Sequence, residues 1–247
     1  MAKKKTGQSH KQKKKQVEAR SDRMQTLTLV TVILLFLGLG IFALVDSFIG
    51  GEEVKQGDGG KANVDEAIFA YDKQPVRGNP DAKVRIVEFG DYKCPVCKRF
   101  KDEIFPKLKK DFLDTDKAGF YFINNPFIGE DSVTAGIAGE AVYEQDPDAF
   151  WKFYHAVYDN QGPEKETWAT QEFLVDLAKK EIPGVDRQKL KQAIEDRKYE
   201  DAVQQDRQIA AKAGVTSVPT LFINGKPVPN TFDYDQIRKM IEEELEK

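Results

Sequence analysis

The chain holds two cysteines, Cys94 and Cys97, three residues apart at the point where an extended apolar run gives way to a helical one. Two cysteines placed at random would show that spacing about one time in a hundred, so the pairing is informative. The run before them, VRIVEF from Val84 to Phe89, is rich in β-branched and apolar side chains. It is bounded by Asn79-Pro80-Asp81 and Gly90-Asp91, the signature of a short buried strand. After the first cysteine, Val96, Phe100, Ile104, Leu108 and Phe112 recur every fourth residue, which is helix spacing. Pro95 falls at the first helical position, where a missing N–H costs little, and Cys94 falls at or beside the N-cap. Pro106 is expected to kink this helix. A strand feeding a helix whose first turn carries both sulfurs places the chemistry at a strand-to-helix turn of an α/β layer structure.

The rest of the chain extends that reading. GFYFINNPFI, from Gly119, predicts a second strand ending at Asn124-Asn125-Pro126, and Ile68 to Tyr71 predicts an edge strand. Helix signals then fill about 131–213: Asp131, Asp146, Thr167 and Asp186 as N-caps, and Gly162, Gly184 and Gly214 as stops. Phe150, Trp151, Phe153, Tyr154 and Tyr158 predict the packing face of one of these helices. TLFING follows, with Asn224-Gly225 as a tight hairpin turn, and an amphipathic helix from Tyr234 to Leu245 closes the chain. The expected domain, 65–247, is therefore a small α/β sandwich carrying a helical insertion.

What precedes the domain obeys a different solvent. Residues 1–23 carry nine Lys or Arg against Glu18 and Asp22, a net of +7, so the remainder sums to −10 within an overall −3. Between Arg23 and Asp46 no residue is charged, and LTLVTVILLFLGLGIFALV would span about 30 Å as a helix, one hydrocarbon core. The expectation is a basic cytoplasmic tail at 1–23, a single transmembrane anchor at 24–48, a flexible Gly-rich linker at 49–64 and an extracytoplasmic domain. A cleavable signal peptide is the alternative; the length of the apolar run and the lack of a small-x-small site speak against it. A nucleic-acid partner would have to be read from the first twenty residues alone, and a topology signal accounts for their charge more simply, so none is expected.

The cysteine pair excludes a disulfide scaffold, because closing so short a loop constrains almost nothing. Tetrahedral zinc would need two more ligands, and the only histidines are His10 in the tail and His155 in the helical stretch. Redox chemistry uses every residue of the motif. At a helix N-terminus, unpaired N–H groups and the dipole favour the thiolate of Cys94, and Cys97, one turn on, is the resolving thiol. The sulfurs can join across one turn with little backbone movement.

VEFGDYKCPVC, followed much later by TSVPTLFINGKPV, resembles the disulfide bond protein A (DsbA) family, and most closely its membrane-anchored Gram-positive branch of BdbD-type oxidases. The resemblance implies a thioredoxin-like fold with an inserted helical subdomain and a catalytic pair Cys94 and Cys97. It implies that Val218-Pro219 is the cis-proline loop beside the sulfurs, which binds substrate together with Pro95 and Val96. It implies that Glu88, six residues before Cys94, is the buried acid that exchanges protons with the resolving cysteine. Strand alternation by itself leaves open whether Glu88 faces core or solvent. Exported proteins with cysteine thiols are the implied substrates. A quinone-linked membrane partner of the DsbB or BdbC type is the implied reoxidant, and the Cys94–Cys97 disulfide is the redox group, with no further cofactor or metal. One departure stands out: many family members have Pro-His between the cysteines, whereas Val96 has no side-chain donor for the thiolate, leaving Lys93, Lys98 and Arg99 as exposed compensating charges. A reductase or isomerase, or a non-catalytic chaperone-like module, are the competing expectations.

Overall fold

The computed structural model describes residues 63–247. The tail expected at 1–23, the anchor expected at 24–48 and the linker expected at 49–64, save its last two residues, lie outside the described residues. Among the described residues no helix is long and apolar enough to cross a membrane. Val64, counted with the linker on composition, already donates its N–H to the Gly225 carbonyl at 2.8 Å.

Five strands form one sheet: β1 (Val76–Gly78), β2 (Val84–Gly90), β3 (Ala118–Asn124), β4 (Thr220–Ile223) and β5 (Lys226–Pro227), in the order β1-β3-β2-β4-β5. β2 and β3 run parallel and the other pairs antiparallel. β2 therefore lies between two partners, and both of its faces are covered. That is why VRIVEF reads as a continuous apolar run and not as an alternation. Val84 and Ile86 face one core with Phe120, Phe122, Leu221 and Ile223, whereas Val87 and Phe89 face a second with Tyr121, Ile123 and Phe222. Glu88 falls in register with Phe122, on the first of these faces.

The helix after the cysteines breaks. α1 (Pro95–Glu103) ends at Ile104, α2 (Phe105–Leu108) carries Pro106 in its first turn, and a π turn over Lys109–Leu113 completes the segment. Pro106 has no N–H for the carbonyl one turn back, so the expected kink becomes an interruption. Between β3 and β4 stand five helices: α3 (Glu130–Gln145), α4 (Pro147–Asp159), α5 (Gln171–Glu181), α6 (Arg187–Glu195) and α7 (Glu200–Lys212). α8 (Tyr234–Leu245) closes the chain and packs Ile237 and Ile241 into the first core. Asp146 and Asp186 cap α4 and α6 as expected, while Thr170, not Thr167, caps α5. Asp131 caps nothing: α3 begins after Gly129, and the Asp131 carboxylate is drawn away by a long-range partner.

Two turns depart from or confirm the local reading. Ile68 to Tyr71 is not a strand, because the Asp65 side chain accepts the Ala67 N–H at 3.0 Å and starts a 3-10 turn. The edge position goes instead to β1, just after Pro75. At the hairpin, Asn224 and Gly225 both take positive φ, 43° and 73°, the geometry that an Asn-Gly pair allows. A side chain at Gly225 would also strike the Val64 carbonyl, 2.2 Å from where its Cβ would lie.

Candidate active site

Cys94 is the N-cap of α1, with extended backbone and no capping hydrogen bond from its own side chain. The turn is tied from several directions. The Cys94 N–H bonds to the Asp91 carbonyl at 2.9 Å, and the Gln161 amide, just beyond α4, donates to the Tyr92 and Cys94 carbonyls at 2.8 and 3.1 Å. The Asp91 carboxylate is satisfied by backbone, accepting from Lys93, Phe127 and Ile128. Asp91 thus pins the loop after β3 against the turn after β2, at the end of the sheet where the two parallel strands stop.

The two thiols, three residues apart, experience opposite environments. The Cys94 thiol is lowered to about 7: the hydrogen bond from Cys97 is the largest cause, burial opposes it, and the N–H groups of Cys97 and Val96 add to it. Cys97 is fully buried, and burial, the hydrogen bond to Cys94 and the charge of Glu88 all push its pKa up. Val96, which has no side-chain donor, serves the Cys94 sulfur through its backbone. The basic residues do not compensate as expected. Lys98 and Arg99 are paired with Asp102 and Glu103 one turn on, at 2.5 and 2.9 Å. Lys93 is buried, its ammonium on Asp131 at 2.7 Å and on the Glu166 carbonyl at 2.9 Å. The other Asp131 oxygen accepts the N–H groups of Trp168 and Ala169. A lysine beside a cysteine looks exposed in sequence, and only the approach of α3 and the segment before α5 removes it from solvent.

Pro219 follows a cis peptide bond at Val218, and the Cys94 thiol lies 3.8 Å from the Val218 carbonyl oxygen. Pro95 and Val96 are exposed, and among the described residues Val96 and Phe127 are the large apolar side chains left open to solvent, at 44% and 58%. Val218 and Pro219, both buried, thus lie behind the Cys94 sulfur, Pro95 and Val96 stand exposed after it, and the Phe127 N–H is tied to Asp91 in the turn before it. Nothing in the local sequence marks Phe127, since a single aromatic after a strand is ordinarily core.

Glu88 is completely buried, which resolves the question left by alternation: with both faces of β2 covered, neither leads to water. Burial pushes its carboxyl up to about 8, the Tyr154 hydroxyl pulls the other way through a 2.9 Å hydrogen bond to Oε2, and the nearby Cys94 charge pushes it up further. Oε1 has no hydrogen-bond partner. Tyr154 comes from α4, whose aromatic face was legible only as packing; its ring does pack, against Phe122 and Phe105 among others, but its hydroxyl is aimed at Glu88. His155 packs beside Phe105 and Tyr154.

The sequence and the fold both have known relatives. A thioredoxin family model matches residues 71–243. The disulfide bond formation protein D of Bacillus subtilis is 40% identical over 172 residues, 70% of this chain and 77% of the relative. The probable disulfide bond formation protein D of Bacillus anthracis is 36% identical over 227 residues, 92% of this chain and 99% of the relative. The crystal structure of oxidised BdbD from Bacillus subtilis superposes with a TM-score of 0.69 at 39% identity, covering 72% of this chain and 96% of that one. That of Chlamydia trachomatis DsbA gives 0.63 at 26% identity, covering 68% and 90%. With a strand-to-helix cysteine pair as its redox group, the chain belongs to the thioredoxin family, as a DsbA-like thiol-disulfide oxidoreductase of the BdbD type.

Proposed function

We propose that this oxidoreductase is an oxidase, tethered to the outer face of the cell membrane by residues 24–48, that passes its Cys94–Cys97 disulfide to exported proteins. The observation that carries the direction is the asymmetry of the thiols: the dithiol form holds Cys94 as a stabilised thiolate, and whatever stabilises the reduced form makes the disulfide more oxidising. The uncharged run Met24 to Val45 behind a net +7 tail supports the membrane placement.

The cycle begins when a substrate thiolate attacks Cys94 Sγ. The Cys94–Cys97 bond breaks, a substrate–Cys94 disulfide forms, and Cys97 leaves as a thiolate that takes a proton from Glu88. A second substrate thiolate then attacks the substrate sulfur, and Cys94 departs as the stabilised thiolate. Substrate loses two electrons and the enzyme gains them. Pro95, Val96 and the Val218–Pro219 loop offer an apolar rim and a carbonyl to an extended chain presenting its cysteine. Reoxidation falls to a quinone-linked membrane protein of the DsbB or BdbC type, brought to the same surface by the anchor.

Equilibration of the Cys94–Cys97 pair with glutathione redox buffer tests the direction. An oxidase requires the pair to remain largely reduced in buffer that oxidises ordinary structural cysteines, and a strongly reducing potential would instead make the protein a reductase.

A further inference from the structure

Glu88 accepts one hydrogen bond, at Oε2 from the Tyr154 hydroxyl, and its other oxygen is buried without any partner. A carboxyl group has one proton to place. With Oε2 engaged as acceptor of a phenol that donates, the proton of the neutral acid belongs on Oε1. The titratable groups around it are Cys94 and Cys97 from α1, Tyr92 from the turn after β2, and Tyr154 and Tyr158 from α4; the neighbouring strands offer Phe122 and Leu221. Burial pushes the pKa of each of the three tyrosines well above its ordinary value. None of them is therefore a proton source for sulfur at neutral pH.

We propose that Tyr154 is the positioning residue of proton exchange at Cys97: by donating to Oε2 it reserves Oε1 of Glu88 as the atom that gives the proton to Cys97 and takes it back. This rests on the role given to Glu88 above and extends it to a residue on the helical insertion, so that α4 supplies part of the chemistry as well as the core. The hydroxyl also lends a donor to the charged form of Glu88, keeping a completely buried carboxyl within reach of neutral pH.

The test is a single turnover. A cysteine peptide is linked to Cys94 as a mixed disulfide, and its release is followed as a function of pH. Cys97 loses its proton to Glu88 and attacks Cys94 Sγ; the Cys94–Cys97 bond forms, and the peptide leaves with the electron pair as a thiolate. The rate rises with pH as Glu88 becomes a carboxylate. Tyr154→Phe keeps the packed ring and removes one donor to a charge, so the inflection should move up by about one unit, with release about tenfold slower at pH 7. Replacing Tyr154 by 3-fluorotyrosine, a more acidic phenol and stronger donor, should move it down and guards against a folding defect in the Phe variant. An inflection that stays in place in both variants, or moves the same way in both, overturns the proposal. Glu88→Gln separates the two levels: if it abolishes the inflection while the Tyr154 variants leave it unmoved, Glu88 acts without Tyr154, and if it leaves the inflection intact, both readings fall.

Discussion

Among the buried carboxylates around the turn that carries Cys94, Asp131 and Glu88 are held in opposite ways. Asp131 is met by a lysine ammonium and two backbone N–H groups; burial pushes its pKa up, but those donors outweigh it and the carboxyl ends below its ordinary range. Glu88 is met by one phenol, and burial wins, pushing it up to about 8. The first is a permanent charge that fastens the segment before Cys94 to the helical insertion. The second is a proton reservoir. The comparison teaches that partners separate an anchor from a chemical group in one protein interior: a lysine charge and two N–H groups offset the burial of Asp131, and a single phenol does not offset that of Glu88.

The comparison can be broken or sharpened by substitution. The largest effect should come from Cys94→Ser, which removes the sulfur that substrate attacks: oxidation of a reduced test protein should fall to the uncatalysed rate, as followed by thiol titration. Asp131→Ala should destabilise the fold by about 3–5 kcal/mol, because it leaves the Lys93 ammonium buried and uncompensated. Urea unfolding measures this, and in the protein that remains folded the pH inflection of peptide release should not move; a moved inflection would mean the anchor also tunes the chemistry.

Glu88→Gln should do the reverse. The Cys97 step should slow by about 10²-fold at neutral pH, and stability relative to wild type should improve with rising pH. The sign follows from a folded-state pKa near 8, above the ordinary carboxylate value. Wild type is at full stability below the unfolded pKa and loses it as pH climbs towards 8, whereas Gln has no proton to lose. Thermal unfolding of both proteins at pH 5 and pH 9 checks this; a wild-type advantage that grows at pH 9 would contradict it. The smallest effect should come from Gln161→Ala, about 1 kcal/mol for two neutral hydrogen bonds to carbonyls that face the turn, read by the same unfolding experiment.

Residues differ in how far their roles could be seen in advance. The redox pair, the proline at the start of α1, the Asn224-Gly225 turn and the caps Asp146 and Asp186 act through neighbours within a few residues, so spacing and residue type suffice to find them. Lys93, Asp131 and Tyr154 carry only the local signals of a solvated charge, a cap and a packing face. Each finds its true partner far along the chain: Lys93 and Asp131 are 38 residues apart, Glu88 and Tyr154 are 66. A signal for Tyr154 did exist, in that a tyrosine among phenylalanines on a buried helix face carries a hydroxyl that needs a partner. Its partner, however, had no signal in the same window.

The order of residues alone therefore determined where sulfur meets helix, because a cap, a dipole and a three-residue spacing are properties of one turn. Which groups are charged there was decided only when α3 met the turn after β2 and α4 met Glu88. Desolvation depends on every atom that displaces water, and those atoms come from segments that no local pattern brings together.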